Sequence, residues 1–221
     1  MKINNAIIIF TLAVLSTGCF APINSVFESA KMLEDGEIDL QGSYSTYYTT
    51  FDDDDFSSGN TNNNIGVGVG YGVSDKVNMK LRYERINIKA QKFTFLDDEI
   101  GGGNSHLNYF ELSGKFQLKQ DKIAFSLPLG LYTQQLDESA LFVLDPRFIF
   151  TFSKNDKFEF NVIPKAHIFI GDGVGIMPGL NLGLAFSNDL NKWAIRPEIG
   201  YDFYFTFGVG VNYYLESNKG R

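Results

Sequence analysis

Cysteine occurs once in the 221 residues, at Cys19, so no disulfide within the chain can staple the fold. Past the first eighteen residues no apolar run approaches the roughly 20 residues that a spanning helix needs, so any membrane crossing must be made by strands. Basic residues are in deficit, 19 Lys and Arg against 26 Asp and Glu, and a formal charge of -7 argues against a nucleic-acid partner. Tryptophan occurs once and histidine only at His106 and His167. What the chain has instead is 21 Phe, 11 Tyr and 22 Gly, and their arrangement carries the information.

The arrangement is clearest over 193–215. Odd positions there include Trp193, Ile195, Ile199, Tyr201, Phe203, Phe205, Phe207, Val209, Val211, Tyr213 and Leu215, while even positions include Arg196, Glu198, Gly200, Asp202, Thr206, Gly208, Gly210 and Asn212. A strand sends alternate side chains to opposite faces, so one face is apolar and aromatic and the other small or charged. The stretch is too long for one strand and is expected to fold back near 202–205.

Residues 1–18 read as a secretory leader: Lys2, the apolar run 6–15, then Ser16, Thr17 and Gly18. The run Leu15-Ser16-Thr17-Gly18-Cys19 resembles a bacterial lipobox, which implies lipidation of Cys19 (palmitate among its acyl chains) as the mature first residue. Ser16 stands where a Leu is commoner. A multi-acyl anchor holds a membrane stably. Residues 19–36 follow as a tether. Ser25 with Glu28 has capping-box spacing, Val26, Phe27, Ala30 and Leu33 share a helical face, and Gly36 can end a turn. These predict a short amphipathic helix beneath the barrel or at the lipid surface.

Alternation of period two recurs over 37–50, 65–73, 77–89, 106–119, 123–134, 142–153, 158–170 and 176–187, and the last stretch adds a pair. That makes about ten strands, joined alternately by short turns and mostly longer loops. The long loops are 51–64, with Asp52, Asp53, Asp54 and Asp55, and 90–105. The apolar face carries too many Phe, Leu and Tyr to fit inside one small barrel. A water-facing row of Gly66, Gly68, Gly70 and Gly72 would also make a poor strand. The apolar face therefore belongs outside, in lipid. Turned inward, those glycines leave room for Lys80, Arg82 and Glu84 on the next strand. Phe152, Phe158, Phe186, Trp193 and Tyr213 fall near short-turn ends, as an interfacial girdle should.

On these residues the chain is similar to small bacterial outer-membrane β-barrel proteins, here with a lipoprotein leader. Gly210-Val211-Asn212-Tyr213-Tyr214-Leu215 resembles the C-terminal signal read by the outer-membrane assembly machinery. The tail 216–221 departs from relatives that end on the aromatic strand. The resemblance implies a transmembrane antiparallel up-and-down β-barrel over 37–215, with both chain ends periplasmic and Cys19 lipid in the inner leaflet. The assembly machinery would be a partner.

Within that architecture the inward face is nearly balanced: Asp39, Glu84, Glu111, Asp145, Glu159 and Glu198 against Lys80, Arg82, Lys115, Arg147, Lys165 and Arg196. A barrel of about ten strands is narrow enough for these side chains to meet. Pairing is expected, because an unpaired buried charge is costly. A filled interior is one outcome and a narrow ion or solute path the other. His167 faces inward near Lys165 as a hydrogen-bonding group, and His106 sits near Asp97 and Asp98 at the rim, but no spacing singles out a catalytic set. Asp52 to Asp55 lack the positional pattern of a calcium loop. The expectation is a non-enzymatic lipid-anchored barrel without metal or cofactor, with an envelope protein partner and a structural or accessory role. A narrow channel and adhesion through the long loops are the alternatives.

Overall fold

A computed structural model describes residues 24–48, 61–88, 93–95, 98–100, 105–134, 140–170, 174–202 and 204–216. Its strands are β1 (Ile38–Tyr48), β2 (Thr61–Ser74), β3 (Val77–Ile88), β4 (Phe93–Phe95), β5 (Asp98–Ile100), β6 (Ser105–Lys119) and β7 (Ile123–Gln134). The chain continues with β8 (Ala140–Leu144), β9 (Arg147–Asn155), β10 (Phe158–Ile170), β11 (Val174–Phe186), β12 (Trp193–Tyr201) and β13 (Phe205–Leu215). Every neighbouring pair is antiparallel, and β13 pairs with β1 from Ile38↔Leu215 to Tyr47↔Thr206, which closes the sheet on itself.

Strands β8 and β9 are two halves of one stave, because β7 and β10 each pair with both. The break falls at Asp145 and Pro146, where proline cannot donate to a ladder. Continuity survives around it: Asp145 N donates to Pro128 O at 3.1 Å and Ala166 N to Pro146 O at 3.1 Å. With β8 and β9 as one stave and the β4–β5 hairpin standing apart from the sheet, the wall is a closed barrel of ten staves. The alternation over 142–153 showed the stave and missed its break, and the stretch 90–105 holds the β4–β5 hairpin where a loop was expected.

The face assignment follows the dyad. Leu81 is 62% exposed and Val67 60%, while Arg82 and Glu84 beside them are 4% and 1%. A continuous wall of exposed Leu, Val, Ile and Phe around a buried charged interior is the inverse of a water-soluble barrel, and it suits hydrocarbon. Near the short turns Phe158 and Phe186 pair across β10 and β11 with ring centroids 5.2 Å apart, and Trp193 faces Tyr213 across β12 and β13.

Residues 24–37 contradict the expectation of an amphipathic helix. They contain no helical turn and lie within the lumen rather than beneath the barrel or on lipid. Val26, Phe27 and Ala30 are buried at 0%, 1% and 0%. The capping-box side chains serve the wall instead: Ser25 accepts from Arg82, and Glu28 from Lys80 at 3.0 Å. The described segment runs from Asn24, beside Gly200 near the loop end of β12, down to Glu34 beside Gly72 near the turn end of β2. It thus comes to β1 from the loop side and not from the turn side, where the expected tether and inner-leaflet lipid would place it. At the turn end Gly36, at φ 82°, closes a tight turn whose N–H donates to Gly72 O at 2.8 Å. A β-carbon on Gly72 would collide with the Glu34 carbonyl, so this glycine is required by the close approach.

Candidate functional site in the barrel lumen

The lumen is a polar wall reading the main chain of residues 24–31. Glu198 on β12 accepts the N–H of Val26 at 2.6 Å and of Phe27 at 2.9 Å. Thr151 on β9 accepts the Ala30 N–H at 2.7 Å. Lys165 on β10 and Asn181 on β11 both donate to the Asn24 carbonyl, the latter at 2.6 Å. Arg82 on β3 donates to Ser25 O at 2.8 Å, and Gln41 on β1 to Phe27 O at 3.1 Å. Lys115 on β6 donates to Ser29 O at 3.1 Å and Lys31 O at 2.9 Å. Buried peptide groups must find partners, and here strands from around the barrel supply them.

The sequence-predicted lumen residues sit as follows. Arg82 and Glu84 form an ion pair on β3, with Ser43 donating to Glu84 at 3.2 Å. Arg147 bonds Glu111 at 2.9 Å and lies 3.9 Å from both Glu28 and Asp145. Arg196 meets Glu159 at 3.3 Å, and Lys31 reaches the same carboxylate at 3.0 Å. Asp39 accepts from Asn212 at 2.9 Å on both oxygens. Lys80, Lys115 and Lys165 meet no wall carboxylate within ion-pair distance among the described residues; their acceptors are Glu28 and the carbonyls of Asn24, Ser29 and Lys31. Lys115 alone of the twelve is half-exposed, at the turn-end cavity of about 150 Å³ that Lys31, Arg196 and Tyr214 also line. At the same mouth, partial burial raises the Glu37 carboxyl and the Glu34, Asp39 and Glu216 carboxylates add to it, against the opposing bond from Glu34.

Toward the long loops the lumen changes character. His167 lies 3.5 Å from both Asp145 and Asp202, and the Tyr47 hydroxyl donates to Asp202 at 3.3 Å. Beside them Ile86, Leu107, Tyr132, Leu141, Phe169 and Met177 form a buried apolar cluster inside the barrel. Cys19 and Asp52 to Asp55 lie outside the described residues, as does Asp97, so the geometry of those sites is not defined; His106 sits at the loop end of β6 opposite Asn87. Among the described residues no group of three or more His, Cys, Asp or Glu is placed to hold a metal.

Sequence reasoning placed Phe27 on a helical face and left Asn24, Gln41, Thr151, Asn181 and Asp202 out of the lumen charge network. Gly208 and Gly210 face inward on β13 opposite Glu198 and Arg196 on β12, so the sequence accounts for them by those long side chains and does not reveal a further occupant. In the structure Phe27 fills the space beside them, and a β-carbon on Gly210 would lie 2.8 Å from the Phe27 Cβ.

No protein-family model matches the chain, and no curated protein sequence does. Among solved structures it is similar to the translocator domain of autotransporter NalP from Neisseria meningitidis, at 8% identity and TM-score 0.41, over 83% of this chain and 89% of that one. It is also similar to the KdgM porin, at 16% identity and TM-score 0.39 over 81% and 99% of the two chains. A third is Ail, the attachment invasion locus protein of Yersinia pestis, at 9% identity and TM-score 0.33 over 82% and 99%. The fold of this chain stands on its own geometry: a closed antiparallel all-β barrel of ten staves, apolar outside and charged within.

Proposed function

We propose that this chain is a non-enzymatic bacterial outer-membrane barrel, lipid-anchored through Cys19, whose task is structural or accessory within an envelope protein complex. The observation that carries the reading is the occupied lumen. Residues 24–34 fill the charged interior from the loop end of β12 to the turn end of β2, and an apolar cluster fills the loop side. While its own chain takes up the interior, the barrel works through its outer wall and its loops. The apolar wall and aromatic girdle support membrane placement, and the lipobox supports the anchor.

The test is purification of the native protein in a gentle detergent with mass spectrometry of what accompanies it, beside metabolic palmitate labelling of the chain and of Cys19→Ser. A stoichiometric envelope protein and label lost on substitution are expected. A chain that purifies alone and conducts ions in planar bilayers overturns the accessory reading in favour of a channel.

A further inference from the structure

Residues 24–34 sit in the lumen as a ligand sits in a receptor. The barrel closes through its own ladder, and no strand pairing includes this segment. Eight of its main-chain groups are instead read by wall side chains: the N–H of Val26, Phe27 and Ala30, and the carbonyls of Asn24, Ser25, Phe27, Ser29 and Lys31. Main-chain hydrogen bonds with pockets for a few side chains are the general means of recognising an extended peptide.

Val26 and Ala30 pack on Ala124, Ile149 and Ile163, and two further side chains have pockets of their own. Phe27 enters a notch made by Gly208 and Gly210, where β-carbons would lie 2.6 and 2.8 Å from it. Glu28 is held by Lys80 at 3.0 Å with Arg147 at 3.9 Å. Phe27 is bound in a left-handed conformation, φ 54°, which a bulky residue keeps only where its surroundings impose it.

The wall is also suited to being vacated. Lys80, Lys115, Lys165 and Glu198 are polar groups that water can serve once the peptide leaves, and the apolar patch bared with them is confined to Ala124, Ile149 and Ile163 under Val26 and Ala30. The covalent link to β1 is a short turn at 34–37, in which Glu34 and Asp35 are exposed.

We propose that the lumen is a binding site for an extended peptide, occupied in cis by residues 24–34, and that this resident segment exchanges with a peptide of the same sequence supplied in trans. The inference stands on the barrel geometry and is independent of the lipid anchor and of any accessory role.

The experiment uses the full chain with a protease site inserted between Asp35 and Gly36, folded in micelles and then cleaved. A fluorescent peptide of residues 24–34, labelled at its Glu34 end, is titrated in and followed by polarisation. Saturable binding is expected, displaced by unlabelled peptide and weakened at least tenfold by Phe27→Ala in the peptide. If the insertion prevents folding, the uncleaved full-length Phe27→Ala variant gives a second route: its loosened segment should admit the labelled peptide, and the unsubstituted chain should not. A cleaved segment that leaves only when the barrel unfolds, a scrambled peptide that binds as well, or a folded Phe27→Ala chain that takes up no peptide overturns the proposal.

Discussion

Phe27 occupies the space that a side chain on Gly210 would fill: a β-carbon there would lie 2.8 Å from both Cβ and Cγ of Phe27. Gly208 leaves the same room at the far end of the ring, 2.6 Å from Cζ. Two glycines that would weaken an ordinary strand are thus the receptacle for a residue far away in the chain. Because Phe27 has φ 54°, alanine there would lose the ring and keep the strain, whereas glycine would lose the ring and relieve it. Phe27→Ala is expected to cost about 3 kcal/mol, and Phe27→Gly about 0.5–1 kcal/mol less despite its freer unfolded state. Thermal unfolding of folded protein in micelles checks the order; a glycine variant below the alanine one would mean that the strain is not felt.

Glu111 and Arg147 meet at 2.9 Å with both side chains buried, and Tyr109 donates to the other carboxylate oxygen at 3.0 Å. Removing one charge strands the other, so Glu111→Leu is expected to cost about 3–5 kcal/mol. Replacing the pair with Glu111→Leu and Arg147→Met should recover most of that loss. Denaturant midpoints of the single and double variants decide, and a double variant as weak as the single would show that Glu28 and Asp145 depend on Arg147 more than Glu111 does.

The outer wall makes a depth-dependent prediction. Val69 lies mid-strand on β2 between Leu40 and Leu81, and Val73 lies next to the short turn. Arginine at position 69 should cost about 2–4 kcal/mol and at position 73 about 0–1 kcal/mol in lipid. Folding equilibria in vesicles measure both. Equal costs would count against a bilayer around this face.

Glu37 supplies a pH test. Its carboxyl is raised by partial burial and then by the Glu34, Asp39 and Glu216 carboxylates, so the folded state favours the protonated form. The sign follows: the ionised form detracts from stability above the folded-state pKa, and the penalty disappears as pH falls below the ordinary glutamate range. Glu37→Gln retains an oxygen for the Glu34 N–H, now at 2.8 Å, and removes the charge. It should raise the melting midpoint at pH 7 and match the parent in acid. A lower midpoint at neutral pH would show the hydrogen bond outweighing the repulsion.

The wall was legible because its rule is local. Val67, Val69 and Tyr71 alternate with Gly66, Gly68 and Gly70, and lipid outside with charge inside requires that pattern along every stave. The fold-back at 202–205 and the inward placement of the twelve charged residues follow from the same rule, and the structure puts the turn between Tyr201 and Phe205. Pro146 disturbs the pattern too little to reveal that one stave is split, because its neighbours keep their faces.

Residues 24–37 show where local rules stop. Val26, Phe27, Ala30 and Leu33 have the spacing of a helical face, and Ser25 with Glu28 the spacing of a cap. Local alternation is enough to define the barrel, its inside and its outside. What fills it emerges only in the closed fold, because the partners of this segment are wall groups such as Glu198, 172 residues from Val26. No periodicity within the segment records them. The closed barrel brings those groups together around one narrow space, and there they hold the segment's main chain in place of a helix's own hydrogen bonds.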